Sequence, residues 1–318
     1  MLGTKRIFPL FQRYGAAWRP WLELFRLPNL FTAPGDTLAG LALALTFRPQ
    51  SNQNAGGLLL AVCTILLYAY GLADNDICDL QEDSRLRPER PLPSHRITPS
   101  QAKTVAISCL VAALLLTLLC PQPALLTFLV LAFLIHNYNS LLKKNRLRGS
   151  LAMGSCRGLS FLAGVAVAGW DFRLLPALLG TTGFIAAVTW LAEDENRTTT
   201  PSRATMLPAL FLTAGGLLQL LFLFPALRRN QAFFLALGIL AFCCAVVISW
   251  LTALRLRQSG QVAPQTMRHA IGAYLGCLLP WQASWLLLTA FPWAHAWGLL
   301  LLLAIPLTHF LRKRIAAS

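Results

Sequence analysis

Charge is scarce in this chain, and acid is scarcer still. Only 12% of its 318 residues are charged, with 12 Asp and Glu against 27 Lys and Arg. Soluble domains carry roughly twice that charged share, so a water-soluble globule of this size is excluded. The five histidines (His95, His136, His269, His295, His309) are scattered without ligand spacing, which argues against a zinc centre. The eight cysteines form no CxxC pair. Most of them, such as Cys63, Cys109, Cys243, Cys244 and Cys277, lie in apolar runs and read as small hydrophobes that say little about redox compartment. Strand-type alternation is also missing, which excludes an outer-membrane barrel.

What is present is apolar and long. Apolar residues make up 56% of the chain and mean hydropathy is +0.58. A helix crosses the hydrocarbon with about 20 mostly apolar residues. Ten segments qualify: 29–47, 57–74, 102–119, 122–138, 152–169, 174–192, 206–224, 232–251, 271–290 and 293–311. Runs such as "VAALLLTLL" are apolar on every face, as expected of a helix in lipid. The expected fold is all-α, a polytopic membrane bundle of nine to ten transmembrane helices.

The basic residues set an orientation. With the N-terminus inside, the cytoplasmic parts hold 22 of the 27 Lys and Arg, while the opposite loops hold Arg48, Arg173, Arg228 and Arg229. That asymmetry puts "RKR" (Arg312 to Arg314) inside only for an even number of spans. The net charge of +15 is thus read as topology, in a cell membrane, and not as a nucleic-acid face. Residues 1–25 interleave Lys5, Arg6, Arg13 and Arg19 with Phe8, Phe11, Trp18, Trp21 and Phe25, the pattern of an interfacial amphipathic helix rather than a cleaved leader. The rest, 26–318, reads as one transmembrane domain.

Nine of the twelve acids fall in two places on one side. Six stand in "DNDICDLQEDSRLRPE" (Asp74, Asp76, Asp79, Glu82, Asp83, Glu89), within a loop spanning 74–100. Three stand in "LAEDENRT" (Glu193, Asp194, Glu195), which opens the loop 193–205. The stretches "LADND" and "LAEDE" match at an offset of 119, a hint of an internal repeat that pairs Asp79 and Asp83 with Thr198 and Ser202. Crowded carboxylates are costly unless a cation compensates them. Asn75, Asp79 and Asp83 recur every four residues, so they share one face if the second helix runs on past its apolar part. Such a row suits Mg²⁺, which takes one or two carboxylates and leaves the remaining positions to water and phosphate oxygens. A metal there implies a phosphorylated ligand.

The same side offers groups for that phosphate. Arg87 and Arg90 lie in "RPERPLPS", where Pro88, Pro91 and Pro93 hold the backbone extended, and guanidinium forks bind phosphate oxygens in pairs. The loop "NYNSLLKKNRLRG" adds Tyr138, Lys143, Lys144, Arg146 and Arg148. One of Lys143 and Lys144 is expected to reach the ligand, Tyr138 reads either as a ligand or as an interfacial belt residue, and Arg146 and Arg148 read as orientation charges. Asp36 and Arg157 are ionisable groups inside apolar segments, either lining a cavity or paired, with each other as the natural partners.

The motif "NDICDLQED" with "RPERPLPSHRIT" resembles the UbiA superfamily of intramembrane prenyltransferases. "FRLPNLFTAPGDTLAGLAL", "YNSLLKK" and "GSLAMGSCRGLSFLAG" add to the likeness, which is greatest for the UbiA-like branch called EboC. The resemblance implies helices around a central cavity, and transfer of an isoprenyl group from a prenyl diphosphate to an aromatic or lipid-like, lipophilic acceptor. It implies Mg²⁺ held by Asn75, Asp79, Asp83 and, from the second acidic motif, Asp194. It further implies substrate contacts from Arg26, Asn29, Arg87, Arg90, Tyr138, Lys143 or Lys144, and Glu193. Ionisation to an allylic cation would follow, with Phe161 and Trp190 as aromatic groups able to face it. The alternative is a protein of the same fold that binds or carries an isoprenoid or other phosphorylated lipid without turnover.

Three departures from the family pattern stand out. His95 replaces a glycine, ten apolar segments stand where the family usually has nine (either 293–311 is an added span or one run counts twice), and the second acidic motif is contiguous. Successive helical residues point about 100° apart, so Glu193, Asp194 and Glu195 could place at most two carboxylates on one metal, and a second Mg²⁺ is left open.

Overall fold

The computed structural model describes residues 18–48 and 57–314. Most of the amphipathic segment expected over 1–25 lies outside the described residues; its end is helical over 18–24. Then follow α1 (Leu27–Leu30), α2 (Ala33–Phe47), α3 (Gly57–Cys78), α4 (Leu80–Leu86), α5 (Pro99–Thr117), α6 (Gln122–Ser140) and α7 (Arg146–Ala168). The second half comprises α8 (Leu175–Ala192), α9 (Leu207–Leu227), α10 (Ala232–Gln258), α11 (Pro264–Gly276), α12 (Leu278–Leu288) and α13 (Pro292–Arg314). Among the described residues no β-strand forms, and a single isolated bridge joins Thr199 to Val262.

Ten stretches are long and apolar enough to span a bilayer, and they coincide with the ten segments expected from the sequence. The chain is a multi-pass membrane protein. Helix ends differ from the expected limits where polar residues continue a helix beyond its apolar part. The second span runs to Cys78 and the fifth starts at Arg146. Backbone hydrogen bonds outlast the hydrophobic run because headgroup water satisfies the side chains. The ninth span starts at Pro264 and breaks at Cys277 into α11 and α12.

Local chemistry explains the starts. Thr98 and Gln101 form a reciprocal capping box before α5, with Pro99 in its first turn. Asn145 caps α7 by accepting from the Arg148 amide. Prolines stand in the first turn of α1, α2, α8, α9 and α11 as well, where the missing N–H costs nothing.

Inside lipid, helices gain nothing by hiding apolar surface from one another, so close packing and hydrogen bonds must hold them together. Helix α2 is buried from Ala33 through Leu45 and packs against α3, α7 and α12. Its approach to α7 depends on Gly40 and Gly164, where a Cβ would run into the carbonyls of Phe161 and Thr37. At the same crossing the Thr37 hydroxyl contacts Thr64 Oγ1 on α3 at 2.9 Å and donates to the Ser160 carbonyl on α7 at 2.8 Å. The Asp36 carboxylate accepts from Arg157 Nη1 at 2.8 Å, and Arg157 also donates to the Thr32 carbonyl and hydroxyl. The two intramembrane charges are therefore paired, and they tie α7 to the start of α2. The tenth span, α13, packs on α12 and on α1.

Candidate active site

Both acidic stretches end a helix on the same side of the bundle, and their paths then diverge. After α3 the chain kinks once at Asp79 (φ −92°, ψ 2°) and continues into α4. Helical bonding survives the kink, since the Asp79 amide donates to the Asn75 carbonyl at 2.9 Å and the Asp83 amide to the Asp79 carbonyl at 2.8 Å. The bridge region that Asp79 occupies is sparsely populated and recurs at active sites. After α8 the amides of Asp194, Glu195 and Arg197 instead bond three residues back, and the chain runs through these turns to Thr199, pinned to Val262. Ser202, paired with Asp83 in the internal match, caps a short turn by accepting from the Ala204 amide.

This continuation arranges the first row around two cations. Lys143 Nζ sits between Asn75 Oδ1 at 3.0 Å and Asp79 Oδ1 at 2.6 Å. Arg90 Nη1 lies 2.7 Å from Asp83 Oδ2 and 3.9 Å from Asp76 Oδ1. Arg26 Nη2 donates to the same Asp76 oxygen at 3.1 Å. Asp76, Asp83 and Arg90 are each at most 7% exposed, a burial that charged groups tolerate only when paired. The Lys144 side chain is exposed and meets no hydrogen-bond or ion-pair partner among the described residues, so of the two lysines it is Lys143 that meets the first acidic row.

The second row is dispersed. Asp194 accepts from Arg146 Nη2 at 2.7 Å and from Arg197 Nε at 2.9 Å. Burial opposes ionisation of Asp194, yet hydrogen bonds from Arg197 and Arg146 outweigh it and hold the carboxyl below the ordinary aspartate range. Glu195 accepts from Arg87 Nη2 at 2.7 Å, which joins the two acidic loops. Glu193 is exposed, within electrostatic reach of Tyr138. Asp79 and Arg26 are within electrostatic reach of Tyr138 as well. Asn29 lies on α1, its amide donating to the Arg26 carbonyl.

Two residues outside the expected set belong here. Asp76 is the point where Arg26 and Arg90 meet, and its signal was burial, which helical spacing from Asn75 does not carry. Arg146 is no simple orientation charge: besides Asp194 it donates to the Trp190 carbonyl at 2.8 Å and lies 4.3 Å from the Trp190 ring centroid. With a guanidinium on one face, Trp190 is poorly placed to offer that face to a second cation. Phe161 is 1% exposed and packs in the core of α7.

Strained backbone flanks the site. Among the described residues, Arg26 (φ 43°) and His95 (φ 57°) are the non-glycine residues in the left-handed region. His95 thus stands at a conformation that glycine adopts freely, in a turn closed by the Ile97 amide donating to the Pro91 carbonyl.

Among the described residues no three His, Cys, Asp or Glu side chains gather as a metal site. The donor set nevertheless fits Mg²⁺, because Asn75 and Asp79 already aim two oxygens at one cation, the Lys143 ammonium, and one or two carboxylates are what Mg²⁺ takes.

The model of the UbiA prenyltransferase family matches residues 36–271. The chain belongs to that family. A digeranylgeranylglyceryl phosphate synthase of Methanococcus maripaludis is 33% identical over 161 residues, 49% of this chain and 56% of that protein. One from Methanosarcina barkeri is 32% identical over 169 residues, 49% of this chain and 57% of its own length. The chain spans about half the length of the curated relatives it matches. Among solved structures, one described as concerning digeranylgeranylglyceryl phosphate synthase in membranes aligns with a TM-score of 0.56 at 20% identity, over 85% of this chain and 98% of the other. A UbiA homologue from Archaeoglobus fulgidus bound to DMAPP and Mg²⁺ aligns at 0.53 and 14%, over 88% and 98%. These similarities to solved structures establish the shared fold.

Proposed function

We propose that the protein is a Mg²⁺-dependent intramembrane prenyltransferase that moves an isoprenyl group from a prenyl diphosphate to a lipophilic acceptor. The observation that carries this reading is the pairing of oxygen donors and basic groups at one mouth, Asn75 and Asp79 on Lys143 with Asp83 and Asp76 on Arg90. Mg²⁺ bound there would neutralise charge growing on the departing diphosphate. A diphosphate competes for the basic groups while the metal competes for the carboxylates, so Lys143 and Arg90 can exchange a carboxylate for a phosphate oxygen without leaving any charge unpaired. Arg87 and Arg26 add cationic reach from Glu195 and Asp76, and Tyr138 offers a hydroxyl within electrostatic reach of both acidic stretches. Leaving-group stabilisation by fixed charges releases the allylic cation toward the apolar interior, where water is scarce.

Relatives named for a glyceryl phosphate product, together with the family's fold, favour a lipid-like acceptor with a polar head over a small soluble one. The charge asymmetry supports a cell-membrane orientation with N-terminus and acidic loops cytoplasmic. A second reading, a carrier or binder of phosphorylated isoprenoids without turnover, is favoured by one observation: Asp194 and Glu195 are taken up by separate arginines and present no second metal row. Incubating the protein with Mg²⁺ and labelled farnesyl or geranylgeranyl diphosphate decides between them. Diphosphate release that disappears in Asp79→Asn is expected; no release across a panel of acceptors, with binding intact, overturns the enzyme in favour of the carrier.

A further inference from the structure

The side of the bundle opposite the acids carries little charge, and its charges are unevenly matched. Asp171 is the one acid there, and it accepts from Arg173 Nη2 at 2.8 Å. Arg173, its principal partner, and the neighbouring Arg48 both hold the Asp171 carboxyl down, at about 2. That leaves Arg228 and Arg229, adjacent and exposed, whose side chains meet no hydrogen-bond or ion-pair partner among the described residues. They follow the last turn of α9, whose dipole offers roughly half a negative charge against two positive ones. Arginines on this side also run against the orientation rule, so their place calls for an anion.

Next to them is a cavity of about 330 Å³ lined by Arg229, Gln231, Phe234, Pro292, His295 and Leu299, among others. Its walls are fixed. Asn230 Nδ2 donates to the Leu287 carbonyl at 2.7 Å, which locks the loop after α9 to the end of α12. His295 is 6% exposed, stacks on Phe234 with centroids 3.8 Å apart, and its Nε2 is 2.6 Å from the Thr289 carbonyl oxygen. Phe291 and Trp293 stack at 6.1 Å beside it, the aromatic composition of a membrane interface. The cavity is thus polar and cationic at the Arg229 end and apolar along Phe234 and Leu299. Its floor, residues 290–299, lies beyond the stretch that the family model matches.

We infer that this cavity, with Arg229 in its lining and Arg228 beside it in the chain, binds the phosphate headgroup of an anionic membrane lipid, with the start of its acyl chains along Phe234 and Leu299. Paired guanidinium forks suit phosphate oxygens, and the volume suits a headgroup rather than a whole lipid. The site is separate from the acidic mouth and independent of any turnover there.

Native mass spectrometry of the full-length protein with phosphatidylglycerol, phosphatidylcholine and inorganic phosphate tests it. Phosphatidylglycerol should bind in preference to phosphatidylcholine, with at least ten-fold weaker binding in Arg228→Gln/Arg229→Gln. Arg255→Gln/Arg257→Gln, on the acidic side, should bind as the wild type does. Equal retention of both lipids by the wild type, or undiminished phosphatidylglycerol binding in the folded double variant, overturns the inference. Inorganic phosphate raising the thermal midpoint as much as the lipid does would assign the site to free phosphate and overturn the lipid source. Should the glutamine variant fail to fold, Arg228→Lys/Arg229→Lys keeps both charges and replaces it, with weakened but still lipid-selective binding expected; loss of that selectivity counts against the site.

Discussion

The two acidic loops begin alike and end differently. "LADND" and "LAEDE" both close a membrane helix on the same side, yet the first continues as helix through one kink and the second breaks into tight turns. Continuation keeps Asn75 and Asp79 four residues apart on one face, so two oxygen donors meet one ammonium group. The break sends Asp194 to Arg146 and Arg197, and Glu195 to Arg87. Spacing on a helix concentrates ligands, whereas contiguity in a turn scatters them. The first loop therefore gathers its oxygen donors on shared cations, and the second fastens the mouth to α7 and to the first loop.

Substitutions can break that contrast, and the largest effect belongs to the first loop. Asp79→Asn should cut diphosphate release by about 1000-fold or more, the loss expected when several kcal/mol of charge stabilisation disappears, with circular dichroism unchanged. Asp194→Asn should cost far less, about ten-fold; equal losses in a steady-state assay would mean that the loops are equivalent and the contrast false.

Next in size is Asp83→Asn, which strands the buried Arg90 guanidinium beside Asp76 alone. Breaking a buried pair costs about 3–5 kcal/mol, so thermal unfolding in detergent should show a drop larger than that for Glu195→Gln, whose partner Arg87 is 29% exposed. An exposed pair is worth no more than about 1 kcal/mol.

Acidity sharpens the comparison further. Because the folded pKa of Asp194 lies below its unfolded value, its contribution to stability is complete above the ordinary aspartate pKa of about 3.9. It is lost as pH falls through the lower folded value. Unfolding measured from pH 6 downward should therefore show an Asp194-dependent loss that begins below about pH 4 and is absent in Asp194→Asn.

The smallest effect concerns the turn between the loops. His95→Gly relieves a left-handed backbone and should raise stability by up to about 1 kcal/mol despite glycine's greater chain entropy. A fall in the thermal midpoint would show that the imidazole compensates for its own strain.

Much of this architecture was legible in the residues. Ten apolar runs with a one-sided charge distribution yield ten spans, because exclusion of polar groups from hydrocarbon is a local property of each segment. The acid row was legible as well, since a period of four on a helix needs no knowledge of neighbours. Asp76 and Arg146 were not, because their roles depend on groups 50 and 48 residues away, Arg26 and Asp194. Nor could spacing tell which of Lys143 and Lys144 meets the acid row, or that Asp36 has Arg157 as a partner; both follow from the position of one helix against another.

The sequence by itself determined the class, the ten apolar segments, the side on which charge gathers and the row of acids at the end of the second span. Only the tertiary structure decided which cation meets which acid. Hydropathy and helical period act over a few residues and can be read along the chain, whereas ion pairing inside a bundle depends on close helix crossings such as that at Gly40 and Gly164, which bring distant segments within a few ångströms.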